Sequence, residues 1–282
     1  MICWVVERAL AARNVSRAIV ATDDERILAA VKSAGFEALM TRADHRSGTD
    51  RIAEVAASLE DVDMIVNVQG DEPLISPATI ESAIEALGEK WNRGKGEKGN
   101  GGKGEGGKGK TVNSETGEEG KGERGKENGD DECDVGMVTT WEPIESVADV
   151  LNPDVVKVVV DEADRALYFS RLPVPFPRDA VRRYGSLETA LSNEPSLLSS
   201  FRKHTGLYVY RRDVLLEFAG WPQSELERLE SLEQLRALEH GVKIKAIKAS
   251  TSSIGVDTME NLERVRKIAE ETENQLSAIS NV

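Results

Sequence analysis

Met64-Ile-Val-Asn-Val-Gln-Gly-Asp-Glu-Pro73 is the stretch on which the fold turns. Its first five residues are almost uniformly apolar, without the alternation of a half-exposed strand. Such a run reads as a strand buried on both faces, as in a parallel sheet. Gly70 then releases the backbone into a turn, and two adjacent carboxylates, Asp71 and Glu72, arrive at the strand's carboxyl end. In open α/β sheets, ligands bind beyond the carboxyl ends of strands. The stretch therefore predicts both a sheet type and a place for chemistry.

The flanking sequence repeats the pattern. Ile2, Val5, Val6, Ala9 and Leu10 share one face of a first helix. Ala18 to Thr22 reads as a short strand. Asp23 and Asp24 are placed to cap a helix from Glu25 to Ala34, with Gly35 beyond its end. Phe36 to Met40 is the next strand, and Thr49 and Asp50 start a helix from Arg51 to Leu59. Ser76-Pro77 opens a helix running to about Leu87. Strands alternating with helices predict an α/β fold with a doubly wound, mostly parallel, Rossmann-like sheet.

From Gly88 to Glu132 the composition changes. The segment holds more than half of the chain's 24 glycines, with Lys, Glu and Asn in near-repeats. So few apolar residues cannot offset the entropy of ordering, and the expectation is a disordered, solvated insertion. Order resumes at Val135. Asp154 to Val160 and Ala166 to Ser170 read as a hairpin around Asp161 to Arg165. His204 to Tyr210 is a strand, Arg212 to Ala219 a helix, and Glu225 to Glu239 one long amphipathic helix ending at Gly241. Val242 to Ala249 is a late strand, and Thr258 caps the last helix. The expected organisation is one domain over 1–87 and 133–270, the insertion at 88–132, and a tail at 271–282. The hairpin marks a mixed-strand subdomain that faces substrate or a second subunit.

Composition excludes some functions. Of 282 residues 39% are hydrophobic, enough for a sizeable core, and the net charge of −14 lacks the basic footprint of a nucleic-acid binder. No apolar run approaches the ~18 residues of a membrane span. The N-terminus breaks into charge at Glu7 and Arg8, too early for a signal peptide. Cys3 and Cys133 match no metal-ligand spacing and fit a reducing cytoplasm.

Asp71 suits magnesium, which takes one or two protein carboxylates and leaves its other positions to water and phosphate oxygens. Asp257, in Ile254-Gly-Val-Asp257, is a second carboxylate after a glycine and before a helix. The two could converge on one ion. Equally, Asp71 could cap the turn at Pro73 and Asp257 the final helix.

Seven blocks carry a resemblance. Thr41-Arg-Ala-Asp-His-Arg-Ser-Gly-Thr49 and Asn67-Val-Gln-Gly-Asp-Glu-Pro73 are followed by Asn152-Pro-Asp-Val-Val-Lys157 and Ala166-Leu-Tyr-Phe-Ser-Arg171. Then come Arg202-Lys-His-Thr-Gly-Leu-Tyr208, Leu229-Glu-Ser-Leu-Glu-Gln-Leu-Arg236 and Gly255-Val-Asp-Thr258. Together, in this order, they resemble the 3-deoxy-manno-octulosonate cytidylyltransferases, or CMP-Kdo synthetases. The resemblance implies transfer of CMP from CTP to the 2-hydroxyl of the acidic sugar Kdo, releasing pyrophosphate, for lipopolysaccharide assembly. It implies a cytoplasmic homodimer and magnesium held by Asp71 and Asp257. Ser47 and Gly48 would approach the cytosine. Gln69, Arg171, His204, Tyr208, Glu233 and Gln234 would line the sugar pocket, with Arg171 pairing with the sugar carboxylate. His204 could instead be a satisfied structural histidine, and Tyr208 a core residue.

The sequence departs from the family at its start. The resemblance implies an initial strand and a Pro-Ala-Arg-type loop gripping the triphosphate, whereas Met1-Ile2 falls where the following helix begins. The expectation is that this strand belongs inside the sheet, so that the chain as it stands binds CTP weakly. The alternatives are the same chemistry on another acidic sugar, such as 8-amino-Kdo or a sialic acid, or a catalytically silent homologue.

Overall fold

A computed structural model describes residues 1–95, 135–256 and 258–268. Most of the expected insertion, the tail at 271–282, Cys133 and Asp257 lie outside the described residues. The strands are β1 (Ile19–Thr22), β2 (Glu37–Met40), β3 (Met64–Asn67), β4 (Val135–Pro143), β5 (Lys157–Val160), β6 (Ala166–Ser170), β7 (Arg202–Arg211) and β8 (Lys243–Lys248).

β1 and β2 form a parallel pair. The other six make one sheet in the order β6-β5-β7-β4-β8, with β3 also on β7. β7 runs antiparallel to β3 and to β4, whereas β4 and β8 are parallel. Thus β3, β4 and β8 share a direction and β7 alone among these runs against them. The α/β class holds, with more antiparallel pairing than the apolar runs predict. A central strand is apolar whichever way it points, because burial on both faces rather than strand sense selects its side chains.

β7 shows that burial directly. Leu207 and Val209 pack on one face with Ala9, Ile80, Ala83, Leu87 and Val138. Tyr208 and Tyr210 pack on the other with Ala53, Met137, Phe169, Leu215 and Leu235. Each large side chain buried in this way contributes roughly 1.5–3 kcal/mol. The hairpin of β5 and β6 is present, closed by Asp161, whose Oδ1 accepts from the Ala163 and Arg165 amides.

Several element ends differ from expectation. The helix that opens at Pro77 continues to Lys95, eight residues past Leu87. The helix expected from Arg51 begins at Gly48, because Ser47 caps it by accepting from Asp50 N at 3.1 Å. Asp24 and Thr258 cap as predicted. The long helix from Glu225 breaks at Ser231, which takes a left-handed φ of 53°. Its halves are Glu225–Glu230 and Gln234–Glu239. The break lets buried Glu227 and Arg236 meet in a bidentate ion pair, with both N···O distances 2.8 Å. Two and a half turns of unbroken helix would hold them apart.

Among the described residues, β1 has no strand partner but β2, and β3 none but β7. Between β1 and β3 lies a groove of about 420 Å³, lined by apolar side chains including Val6, Val20, Ile52, Val66 and Ile80.

Candidate functional site

The carboxyl end of β3 reaches Asn67, which pairs with Tyr208 of β7. Just there the β4–β7 register slips: Thr139 faces Tyr208, but Thr140 faces Thr205. Gly206 and Leu207 are the extra residues of this bulge, a device that re-aims side chains near functional sites. Gly206 leaves room for Gln69, since a Cβ there would lie 2.9 Å from Gln69 Cγ. The structure thus brings Gln69 onto β7 between His204 and Tyr208. Gly206→Ala is expected to push Gln69 aside and lower kcat/KM for the acceptor roughly 10–100-fold, with the fold retained. Unchanged kinetics in a folded variant would remove Gln69 from the site.

His204, Tyr208 and Tyr210 form a row of rings on the same face. Centroid separations are 5.4 Å and 5.7 Å, and Phe169 meets the imidazole edge-on at 5.0 Å. Burial lowers the His204 pKa to about 3, so the imidazole is neutral at physiological pH. The Thr139 hydroxyl donates to Leu207 O at 2.9 Å and so accepts from His204 Nε2, also at 2.9 Å. That assignment leaves Nδ1 as an acceptor. Tyr208 is 9% exposed, and burial raises its phenol pKa well above the ordinary value. It is a core side chain. Burial raises the Tyr210 phenol as well, although the Thr49 and Asn67 side chains reach it by hydrogen bonds.

Ser47 and Glu233 also meet. The Ser47 and Thr49 hydroxyls reach the Glu233 carboxyl, whose pKa burial pushes up. The other carboxyl oxygen, Oε2, is buried without a hydrogen bond, and so is Nε2 of the neighbouring Gln234. Native proteins seldom leave such atoms unpaired. An acceptor and a donor, adjacent in the chain, therefore stand without hydrogen-bond partners among the described residues. Gly48 has open space above its Cα. Ser47 and Glu233 open onto a cleft of about 980 Å³ that Arg42 and Arg46 also line, whereas Gly48 and Gln69 open onto the groove beside β3.

The two carboxylates that end β3 part company. Glu72 is largely buried beside Ser253 and Glu142, around an enclosed space of about 10 Å³, and burial raises its pKa. Asp71 lies against the strand-to-helix segment near the C-terminus, since Val256 N donates to Asp71 O at 2.8 Å. Glu142 secures the same segment by accepting from Ser253 N at 2.8 Å. The residue after Val256 is Asp257, outside the described residues. Among the described residues no group of three or more His, Cys, Asp or Glu side chains could hold a metal. Magnesium needs only one or two carboxylates, and Asp71, beside the segment that leads to Asp257, fits that need.

Arg171 is held by three backbone carbonyls. Its Nε donates to Glu230 O at 2.7 Å, Nη1 to Pro153 O at 3.1 Å and Nη2 to Ser231 O at 3.4 Å. These bonds use three of its five N–H groups and leave one on each Nη for a further acceptor. Sequence reasoning missed Gly206, Thr49 and Glu230. Gly206 carries a faint signal, as a glycine inside an apolar strand often marks a bulge.

Comparisons with known proteins give the family. A cytidylyltransferase family model matches residues 1–244. A protein of Solibacter usitatus named 3-deoxy-manno-octulosonate cytidylyltransferase is 41% identical over 268 residues, covering 95% of this chain and 83% of the relative. One of the same name from Geotalea daltonii is 44% identical over 265 residues, covering 94% and 86%. Among solved structures, CMP:2-keto-3-deoxy-manno-octonic acid synthetase in complex with CTP superposes with a TM-score of 0.71. It is 34% identical, over 96% of this chain and 88% of that one. With identity sustained over nearly the whole chain and the fold shared, this protein belongs to the 3-deoxy-manno-octulosonate cytidylyltransferase family.

Proposed function

We propose that the chain catalyses CMP transfer from CTP to the 2-hydroxyl of Kdo. The hydroxyl oxygen attacks the α-phosphorus, the bond to the β-phosphate breaks, and pyrophosphate leaves. The observation that carries this reading for the acceptor is the orphaned pair, Glu233 Oε2 and Gln234 Nε2. Sugar hydroxyls both donate and accept, so they satisfy both atoms at once. Neutral His204 keeps Nδ1 as a hydrogen-bond acceptor, and Gln69 rests on Gly206, two residues along β7. Positioning of this kind supplies a large share of such a barrier.

Magnesium would be held by Asp71 and Asp257, and when bound it neutralises charge on the α-phosphate and favours the alkoxide form of the hydroxyl. The chain's own part is to fix Asp71 against the 253–256 segment through Val256 and Glu142. The supply of CTP and the free thiol of Cys3 favour a cytoplasmic setting. No helix among the described residues is long and apolar enough to cross a membrane. The test is incubation with CTP, Kdo and magnesium, with phosphorus NMR following pyrophosphate and the new phosphodiester. Absence of both products at saturating substrates overturns the reading.

A homodimer is part of the proposal. β6 is an edge strand, and it and the loop after it expose Leu167 (59%), Leu172 (68%) and Phe176 (59%). Contiguous exposed apolar side chains mark association surfaces. Leu172→Asp with Phe176→Asp is expected to convert a dimer to a folded monomer by light scattering. A parent chain that is already monomeric at micromolar concentration overturns this part.

A further inference from the structure

We propose that Glu230 and Lys157 are positioning residues that clasp Arg171 and thereby aim Glu233 and Gln234 at the acceptor sugar. The proposal rests on the reading above and adds residues to it.

Glu230 ends its helix. A carboxylate at a helix C-terminus opposes the helix dipole, so its position needs partners. It has them: Oε2 accepts from Arg171 N at 2.9 Å and Oε1 from Ser170 Oγ at 2.8 Å. The reciprocal bond runs from Arg171 Nε to Glu230 O at 2.7 Å. Side chain and backbone of each residue therefore hold the other.

Lys157 completes the clasp from β5. It is 0% exposed, and a lysine is buried so deeply only when its ammonium is paired. Nζ donates to Asn152 O at 2.7 Å and to Arg171 O at 3.0 Å, while Arg171 Nη1 takes Pro153 O. Three separate chain segments, 152–153, 170–171 and 230–231, are drawn to one point.

The clasp ends where the helix breaks. Ser231 takes a left-handed conformation, which serine holds only when its surroundings over-determine it. Arg171 Nη2 on Ser231 O and Arg171 Nε on Glu230 O supply that constraint together with Leu232 N on Glu227 O. Glu233 follows two residues later, and Gln234 begins the second helix. The direction of the orphaned Oε2 and Nε2 atoms is thus set by the turn that the clasp fixes.

The test compares parent, Glu230→Ala and Lys157→Met by steady-state kinetics. It also follows hydrogen exchange of residues 231–236 with and without Kdo. Either variant is expected to raise KM for Kdo about 10–100-fold, with KM for CTP within about twofold, and to lose Kdo protection at 231–236. Lys157→Met keeps the buried stem and removes only the two donated bonds, so it serves if Glu230→Ala does not fold. A parent without Kdo protection overturns the functional reading and this proposal with it. A protected parent whose variants keep the same KM for Kdo overturns the clasp alone. So do parallel rises in both KM values, which would mark a general loosening of the fold.

Discussion

Asp71→Asn is expected to lower CMP transfer by roughly 100-fold or more while leaving the melting temperature within about 3 °C. Asparagine keeps the shape of the side chain and removes the charge that a hard divalent cation requires. The backbone bond from Val256 N to Asp71 O survives the change, so the segment leading to Asp257 stays in place. The loss should therefore appear in kcat and in the magnesium concentration needed for half-maximal rate. Near-parental turnover at limiting magnesium would show that Asp71 holds no catalytic ion. Glu72 offers no substitute, because it faces Ser253 and Glu142.

Glu227→Ala is the most destabilising single change expected among the described ion pairs. Glu227 and Arg236 are 3% and 5% exposed. The guanidinium also donates to Trp221 O at 3.0 Å and stacks over Phe218 at 4.5 Å. Removing the carboxylate leaves a buried cation without its counter-charge, which costs about 3–5 kcal/mol. The same carboxylate completes a capping box with Ser224, so a further ~1 kcal/mol goes with it. A domain's whole stability is about 5–15 kcal/mol. The measurement is chemical denaturation of the parent, Glu227→Ala, and Glu227→Leu combined with Arg236→Met. Replacing both charges by apolar groups should recover most of the loss. A single variant within 1 kcal/mol of the parent would mean that water reaches the pair.

How much of this is legible in the sequence depends on how local the cause is. β3 and its carboxylates are legible because an unbroken apolar run and a glycine report their own surroundings. The caps at Asp24 and Thr258 are legible for the same reason. The break at Ser231 is not: the periodicity from Glu225 to Glu239 is helical throughout, and contacts with distant or facing residues, Glu227 with Arg236 and Arg171 with Glu230 and Ser231, interrupt it. The partners of Arg171 are equally hidden, since backbone carbonyls carry no residue signature. The short helices Arg178–Tyr184 and Leu187–Asn193 escape notice because seven residues give too few turns for a pattern. The resemblance names Gln69, Glu233 and Gln234 as neighbours of a sugar, and the structure adds why they can be: a bulge at Gly206 and two unpaired atoms.

The groove between β1 and β3 carries a liability for the purified protein. Strand edges are templates for other chains, and these two, without partners among the described residues, flank apolar side chains. What opposes association is charge: at −14 the molecules repel one another. That repulsion reaches about 10 Å at 0.1 M salt and about 3 Å at 1 M. Salt, usually added to keep proteins dispersed, would here draw molecules together edge to edge, into aggregates that gain β-structure as they grow.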